Sequence, residues 1–290
     1  MAVAVWGARG WIGGQVCELL EARGAEVVRA ESRLEDRAAI EAELDRTRPD
    51  RVIVAAGVTG RPNVDWCEEH RRETIRANVI GTLNVVDVCT ERGLHVMLFA
   101  TGCIFSYDEE HALGSGKGFT EDDRANFAGS FYSRTKGMVE ELLRCYPPEL
   151  LLVLRVRMPI SADLSCPRNF ITKITRYERV VNIPNSVSVL PDLLPVAIEM
   201  SRRRIGGIFN FCNPGVVSHN ECLELYREFV DPSFTWTNFT EQEQAKVLKA
   251  ARSNNELDCS KLLAAVPDLR VPPIQESLRK LFQEFKTSRS

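Results

Sequence analysis

The sequence lacks long hydrophobic runs and an excess of charge of either sign. No apolar stretch among its 290 residues approaches the ~18 residues that a membrane-spanning helix needs, so we do not expect a membrane protein. The formal net charge is only −3, which offers no basic surface to nucleic acid. Apolar residues make up 44% and charged residues 27%, as in an ordinary soluble globular protein.

The sequence also lacks paired cysteines. Its nine cysteines are scattered, odd in number and never spaced C-x-x-C, which indicates reduced thiols rather than a disulfide framework. The nearest approach to a metal pattern is Cys67–His70, and the solvated end of a helix is the better interpretation, so no metal is expected. A strand-like run, Ala2–Trp6, begins at once, so we expect no signal peptide and predict a cytoplasmic protein.

The first half of the chain alternates short β runs with helical stretches. Because alternation at this spacing is typical of βαβ units, we predict an α/β protein with a Rossmann-type doubly wound parallel sheet. The predicted strands are residues 2–6, Glu26–Ala30, Arg51–Ala55, His95–Ala100 and Leu150–Val156, and the predicted helices are Trp11–Leu20, Leu34–Leu44, Glu73–Cys89 and Tyr132–Leu143.

The alternation of strands and helices changes after about residue 160, where prolines separate short predicted elements. We predict a first domain over residues 1–160, with a late sheet strand near residues 206–212, and a smaller, interleaved C-terminal domain over residues 161–290. The loop Ser106–Ser130 is long enough to suggest a function. Later helices are predicted at His219–Phe229, Glu241–Ala251, Leu257–Ala265 and Pro273–Phe285.

A glycine pattern, Gly7, Gly10 and Gly13, follows the first predicted strand and opens a helix at Trp11 and Ile12. The first glycine allows a sharp turn, the second lets backbone amides approach a pyrophosphate, and the third lets the helix pack against the sheet. The N-terminus of this helix then faces the phosphates with its partial positive charge. This position favours a dinucleotide site, and a tight turn without a ligand is the alternative.

The end of the second predicted strand distinguishes the two nicotinamide cofactors. An acidic residue there binds the ribose 2′-hydroxyl, whereas arginine accepts a 2′-phosphate. The chain offers Glu31, but also Arg33 and, from the glycine turn, Arg9. Two guanidiniums suit a phosphate, so we predict NADPH, with NADH less favoured.

A tyrosine and a lysine, Tyr132 and Lys136, stand four residues apart on one predicted helix face. A lysine there favours the phenolate of a group whose pKa is ordinarily about 10. Thr101 follows the fourth predicted strand, and strand ends there face the ligand crevice, so its hydroxyl can bond the same substrate carbonyl oxygen as Tyr132. These residues predict proton donation during hydride transfer, and a surface pair is the alternative interpretation.

With these motifs the chain resembles the extended short-chain dehydrogenase/reductases. That resemblance implies that Tyr132 donates the proton in hydride transfer and that Thr101 assists it. It also implies that Lys136 adjusts the acidity of Tyr132 and holds the nicotinamide ribose. It further implies a cofactor site and a substrate-binding C-terminal domain, and leaves a homodimer possible. The remaining residues that we assign to the cofactor are Ala55, Ala56, Gly57, Asn78 and Pro159.

Cys103 places a thiol two residues beyond Thr101, where a simple carbonyl reductase has no need of one. A 3,5-epimerase needs a base for the protons α to a 4-keto group, and a thiolate is a plausible one. Lys173 is the candidate for the opposite face of the sugar. A buried small hydrophobe and a solvated helix lysine are the respective alternatives.

GDP-fucose synthases carry a matching cysteine paired with a histidine, and Lys173 occupies that histidine's place. The chain is more similar to the nucleotide-rhamnose synthase/epimerase-reductases, notably over 57–68, 131–141, 169–177 and 213–221. This resemblance implies NADPH-dependent conversion of UDP-4-keto-6-deoxy-glucose, or its dTDP form, to the rhamnose nucleotide. The alternatives are a dTDP-4-dehydrorhamnose reductase without epimerase activity and a non-catalytic NADP-binding regulatory subunit. The predicted substrate-binding residues are Thr59, Arg61, Asn63, Arg157, Asn169 and Arg252.

Overall fold

The computed structural model describes residues 2–60 and 63–287, which form short strands and helices in alternation. The strands are β1 Ala2–Trp6, β2 Glu26–Arg29, β3 Arg51–Val54, β4 His95–Thr101, β5 Leu151–Val156, β6 Arg179–Val180, β7 Gly207–Asn210 and β8 Thr237–Asn238. The helices are α1 Trp11–Ala22, α2 Arg37–Thr47, α3 Trp66–Glu69, α4 Arg71–Ile75, α5 Gly81–Glu91, α6 Phe131–Leu143, α7 Phe170–Ile174, α8 Leu190–Arg202, α9 His219–Phe229, α10 Glu241–Val247, α11 Ser260–Ala265 and α12 Ile274–Thr287. None of these helices is long and apolar enough to cross a bilayer.

Six strands form one sheet in the order β2-β1-β3-β4-β5-β7. β1 pairs in parallel with both β2 and β3, and β3 pairs in parallel with β4, so the doubly wound parallel sheet is confirmed. All of β3 and β5 is buried, as strands covered by helices on both faces should be. The strand order reverses at β1, which makes the carboxyl ends of β1 and β3 the expected ligand site.

The first residues of two helices are determined by capping side chains and differ from the starts predicted from the hydrophobic pattern. α2 begins at Arg37 rather than at residue 34, because the Asp36 carboxylate accepts a hydrogen bond from the Ala39 N–H at 3.0 Å. Ser130 caps α6 in the same way. The helix predicted over 73–89 is interrupted: α4 and α5 are joined by a π-helical turn over Arg76–Ile80.

Contacts within the chain divide it into two compact units. The first contains residues 2–60, 63–104, 127–155 and 194–209 and has a core built on the main sheet, with Trp6, Val52, Leu98 and Val153 among its buried side chains. The second contains residues 105–126, 156–193 and 210–287 and has its own core, which includes Ile171, Leu223 and Phe282. The domain boundary at residue 160 stays a prediction.

Helix α8 was not predicted from the sequence, because it contains two prolines, and proline ordinarily indicates the end of a helix. Pro191 lies in the first turn, where a backbone N–H has no intrahelical partner to lose, whereas Pro195 lies inside the helix. Leu193, Ala197 and Met200 are fully buried at helical spacing. Burial of this apolar face outweighs the intrinsic cost of the interior proline.

Candidate active site

The glycine turn is packed so closely that no side chain can replace Gly7 or Gly13. Gly7 has φ of +82°, and a Cβ on it would lie 2.6 Å from the Ala56 backbone nitrogen. A Cβ on Gly13 would lie 2.1 Å from the Gly7 carbonyl oxygen. The turn therefore allows α1 to pack closely against the end of β1. It also places Gly7 beside Ala55 and Ala56, which follow β3, where the strand order of the sheet reverses.

The first turn of α1 fits a dinucleotide pyrophosphate. Gly10 is the N-cap, and no side chain of the described residues caps the helix there. Trp11 and Ile12 are half-buried, and the first turn contains no acidic residue. The backbone N–H groups of this turn can therefore donate hydrogen bonds to an anionic ligand, which the helix dipole also favours.

The two arginines predicted to bind a 2′-phosphate reach solvent at the end of β2. The Arg9 guanidinium lies 3.0 Å from the Glu31 carboxylate, and that of Arg33 lies 3.2 Å from Glu35. The side chains of Arg9 and Arg33 are 88% and 82% exposed, so a phosphate could reach both. Such exposed ion pairs contribute little stability and are easily exchanged.

Asn78 lies in the π-helical turn and is almost fully buried. Its Oδ1 accepts a hydrogen bond from the Val58 N–H at 2.8 Å, and its Nδ2 donates to the Val58 carbonyl at 2.7 Å. Both polar atoms of the amide thus hold the segment after Gly57. The contacts indicate that Asn78 positions the loop after β3, while a direct contact with the cofactor stays a prediction.

The structure brings Thr101, Cys103 and Tyr132 together. The Thr101 hydroxyl is hydrogen-bonded to the Tyr132 phenol and accepts the Cys103 backbone N–H at 3.1 Å. Burial and the nearby Cys103 sulfur raise the pKa of Tyr132, and the bond from Thr101 opposes this only in part. Tyr132 is therefore protonated near neutral pH and suited to donate a proton.

Lys136 lies one turn beyond Tyr132 on α6. It lines a small cavity together with Thr101 and Glu140 and with the apolar side chains of β4 and β5. Burial lowers the pKa of Lys136 to about 8, while the Glu140 carboxylate acts in the opposite direction. Glu140 in turn is bound by the fully buried Arg155, whose Nε and Nη2 lie 3.0 and 2.6 Å from its oxygens. Neither Glu140 nor Arg155 forms a local motif, so the sequence alone gives no signal for this pair.

In the second unit, Asn169 is the N-cap of helix α7, and Lys173 lies within the helix. Asn169 is fully buried and caps the helix by accepting the Ile171 N–H, while its Nδ2 donates to the carbonyls of Ser161 and Asp163. Lys173 is half-buried one turn later. The contacts of Asn169 are those of a structural residue, so its role toward substrate, like the role of Lys173, stays a prediction.

Arg157 is buried rather than displayed to a ligand. Its guanidinium donates to the Asn185 side chain and to the Ser253 carbonyl, which fixes the segment next to Arg252. Arg252 is half-buried and donates to the Ala250 carbonyl at 2.8 Å. These contacts indicate that Arg157 supports the segment that carries Arg252, while substrate binding by either arginine stays a prediction.

The remaining predicted residues that the structure describes lie in loops. Pro159 follows β5, and its carbonyl accepts the Phe170 N–H at the start of α7. Met158, just before it, has φ of +37°, a strained left-handed conformation that no sequence pattern signalled. Thr59 and Asn63 are half-buried in the loop after β3, and Arg61 lies outside the described residues. In the described part of the chain, no cluster of three potential metal ligands is found.

Comparisons with known proteins identify the family of the chain. Residues 3–161 match the model of the NAD dependent epimerase/dehydratase family. A bifunctional dTDP-4-dehydrorhamnose 3,5-epimerase/dTDP-4-dehydrorhamnose reductase of Arabidopsis thaliana is 59% identical over 280 residues, which cover 97% of this chain and 92% of the relative.

Two further matches extend the comparison. A trifunctional UDP-glucose 4,6-dehydratase/UDP-4-keto-6-deoxy-D-glucose 3,5-epimerase/UDP-4-keto-L-rhamnose-reductase of Arabidopsis thaliana is 58% identical over 95% of this chain, which spans only 41% of that relative. The crystal structure of the L780 UDP-rhamnose synthase from Acanthamoeba polyphaga mimivirus superposes with a TM-score of 0.92 at 40% identity. That superposition covers 97% of this chain and 98% of the viral chain.

Proposed function

The chain belongs to the NAD dependent epimerase/dehydratase family, and we propose that it epimerises UDP-4-keto-6-deoxy-glucose at C3 and C5 and then reduces the 4-keto group to give UDP-L-rhamnose. The observation that carries the proposal is the position of Cys103 beside Thr101 and Tyr132. A base and two hydroxyl groups at one carbonyl can serve both the epimerisation and the reduction.

NADPH is the hydride donor in this proposal. The glycine turn and the N-terminus of α1 provide the pyrophosphate site, and Arg9 and Arg33 provide two exposed guanidiniums for the 2′-phosphate. Bound NADPH would supply the hydride to C4 of the sugar. Lys136, with a pKa near 8, is largely protonated at neutral pH and can hold the ribose hydroxyls.

In the epimerisation, the Cys103 thiolate removes the proton at C5, and the electron pair of that C–H bond forms an enolate whose oxygen is O4. Hydroxyl groups of Thr101 and Tyr132 hydrogen-bond this oxygen and lower the barrier. Lys173 returns a proton to the opposite face, and exchange with water resets both groups before the same steps occur at C3. In the reduction, Tyr132 gives its proton to O4.

The test is incubation in deuterated water with UDP-4-keto-6-deoxy-glucose and NADPH, followed by mass and configuration analysis of the sugar. The wild-type protein should give rhamnose with deuterium at C3 and C5. Cys103→Ala should abolish the exchange but still reduce a ketone that was epimerised beforehand. Cys145→Ala, at an exposed cysteine, is the matched control and should behave as wild type.

The alternatives predict other outcomes of this experiment. Oxidation of NADPH without exchange would leave a reductase alone, and roles for Cys103 and Lys173 would be withdrawn. Binding of NADPH without turnover of any 4-keto sugar would favour the regulatory subunit. Comparison of the UDP and dTDP substrates in the same assay determines the nucleotide preference.

A homodimer and a cytoplasmic location complete the proposal. Helices α5 and α6 pack against each other in the first unit, and α6 leaves Met138 and Leu142 exposed by 62% and 48%. Ile80, in the turn before α5, is 40% exposed. Exposed apolar side chains at i and i+4 of a surface helix are typical of an interface with another helix. The support for the cytoplasmic location is the scattered spacing of the nine cysteines in the sequence, which is typical of proteins from a reducing compartment.

A further inference from the structure

Glu43 is a buried carboxylate outside the glycine turn and the residues grouped around Tyr132. It lies on helix α2 and is only 6% exposed. Its Oε1 accepts a hydrogen bond from the Glu31 backbone N–H at 3.0 Å, and its Oε2 accepts one from the Ser32 N–H at 2.9 Å. A single side chain therefore binds two successive amides of the turn that follows β2.

The same turn is held from two other sides. The Trp6 indole on β1 donates to the Ser32 hydroxyl at 3.1 Å, and that hydroxyl is also hydrogen-bonded to Glu43. Beyond Arg33, the Leu34 carbonyl accepts a hydrogen bond from the Asn84 side chain at 3.0 Å. The backbone on both sides of Arg33 is thus fixed, while the Arg33 side chain itself extends into solvent.

The carboxylate of Glu43 is charged in this position. Burial raises its pKa, but the Ser32 hydroxyl, the two backbone N–H groups and the Arg46 guanidinium together hold the pKa below its usual value. Hydrogen bonds to an ionised acceptor are about twice as strong as neutral ones. The negative charge therefore strengthens the hold on the turn, and an uncharged side chain of the same shape should weaken it.

The turn that Glu43 holds lies at the end of β2, where a bound dinucleotide presents its adenosine ribose. It carries Arg33, and its Glu31 carboxylate lies 3.0 Å from the Arg9 guanidinium of the glycine turn. The position of the Arg33 backbone depends on this turn, because Arg33 is part of it. A shift of the turn would move the Arg33 guanidinium relative to that of Arg9, and the two would no longer converge on one 2′-phosphate.

We propose that Glu43 is a positioning residue for cofactor selectivity: it fixes the Glu31–Arg33 turn so that Arg33 and Arg9 meet the 2′-phosphate, and thereby sets the preference for NADPH over NADH. This inference rests on the NADPH-dependent function proposed above. It predicts that a change at Glu43 alters the discrimination between the two cofactors, although Glu43 touches neither of them.

The experiment measures the dissociation constants of NADPH and NADH by nucleotide fluorescence for the wild-type protein, Glu43→Gln and Glu41→Gln. Glu41 is the matched control, because it lies on the same helix but pairs with Arg37 in a half-exposed position. The ratio of the two constants does not depend on the fraction of folded protein. Glu43→Gln should reduce the preference for NADPH about tenfold, the effect of losing roughly one charge-assisted hydrogen bond, and Glu41→Gln should leave it unchanged.

Two further variants strengthen the test. Ser32→Ala removes one partner of the carboxylate and should shift the ratio in the same direction by less, even if Glu43→Gln does not fold. Arg33→Gln should lower the preference for NADPH in the wild-type background but much less in the Glu43→Gln background. If Glu43 acts through Arg33, the Glu43 substitution has already removed most of the contribution of Arg33. Full additivity of the two substitutions would contradict the proposed route.

The outcomes separate this inference from the proposed function. A lower unfolding temperature of Glu43→Gln with an unchanged ratio would show that Glu43 only stabilises the fold, and the inference would be wrong. Cofactor binding with the expected shift, but without turnover of the 4-keto sugar, would support the inference and overturn the proposed reaction. Failure of the wild-type protein to bind either cofactor would overturn both.

Discussion

At the scale of single residues, the environment of Tyr132 suits one direction of proton transfer. Burial and Cys103 raise the pKa of its phenol, whereas the bond to Thr101 lowers it by less. A phenol that ionises only well above neutral pH is a poor base but an available proton donor. The ketone oxygen of a substrate would gain a proton from it as negative charge develops there.

The burial of Lys136, which serves the proposed reaction, lowers the stability of the folded protein. Burial lowers its pKa to about 8 from the 10.5 of an exposed lysine, so the folded protein holds this proton less tightly than the unfolded chain does. The charged lysine therefore destabilises the fold at pH values below about 8, and this cost is lost as the pH rises from 8 toward 10.5.

We therefore predict that Lys136→Met stabilises the protein while it impairs the reaction. At pH 7 the free energy of unfolding should rise, by at most ~3 kcal/mol, and the gain should disappear near pH 10.5. NADPH oxidation should fall at least about 100-fold. Urea unfolding at both pH values tests this, with Lys117→Met, at an exposed lysine, as the control. A variant that is less stable at pH 7 would contradict the prediction.

At the scale of elements, a buried ion pair ties helix α6 to strand β5. Arg155 is fully buried and binds both carboxylate oxygens of Glu140. Removal of one partner leaves the other charge buried without compensation, which typically costs about 3–5 kcal/mol. Because Glu140 also raises the pKa of Lys136, the same pair affects the residue one turn earlier.

Glu140→Gln should accordingly lower the free energy of unfolding by about 3 kcal/mol. It should also move the pKa of Lys136 below 8, so that NADPH binding weakens at a lower pH than in the wild type. Chemical denaturation and a pH series of NADPH titrations measure the two effects. Glu141→Gln, at the neighbouring exposed glutamate, should change neither, and equal effects of both substitutions would argue against a role for the buried pair.

Elements with a strong local pattern could be predicted from the sequence, and those shaped by distant contacts could not. The starts of β1, β2 and β3 agree with the structure, because apolar runs and turn residues encode them locally. Helix α8 was missed because the burial of its apolar face overrides Pro195. The π-helical turn was missed because no local residue pattern signals it, and the partner of its Asn78 is Val58, twenty residues away in sequence.

At the scale of the whole molecule, the same distinction applies to the site. Thr101, Cys103 and Tyr132 could be grouped from the sequence, because strand ends and the start of a helix face a common edge of a parallel sheet. Glu43, Glu140 and the burial of Arg157 could not, because their partners are backbone groups or side chains on elements remote in sequence. Motifs thus predict which residues would carry the proposed chemistry, whereas the residues that position them could be recognised only in the structure.

The last prediction concerns assembly. If the exposed face of α6 forms the homodimer interface, Met138→Glu should place an unpaired charge inside it. Such a change at the centre of an interface costs about 2 kcal/mol or more, which raises the dissociation constant of the dimer by at least ~30-fold. Sedimentation velocity over a concentration series measures this shift. Val247→Glu, at an apolar residue of α10 that is 70% exposed, should leave the assembly unchanged. A wild-type protein that stays monomeric at high concentration, or a Met138→Glu variant that dimerises normally, would exclude this face as the interface.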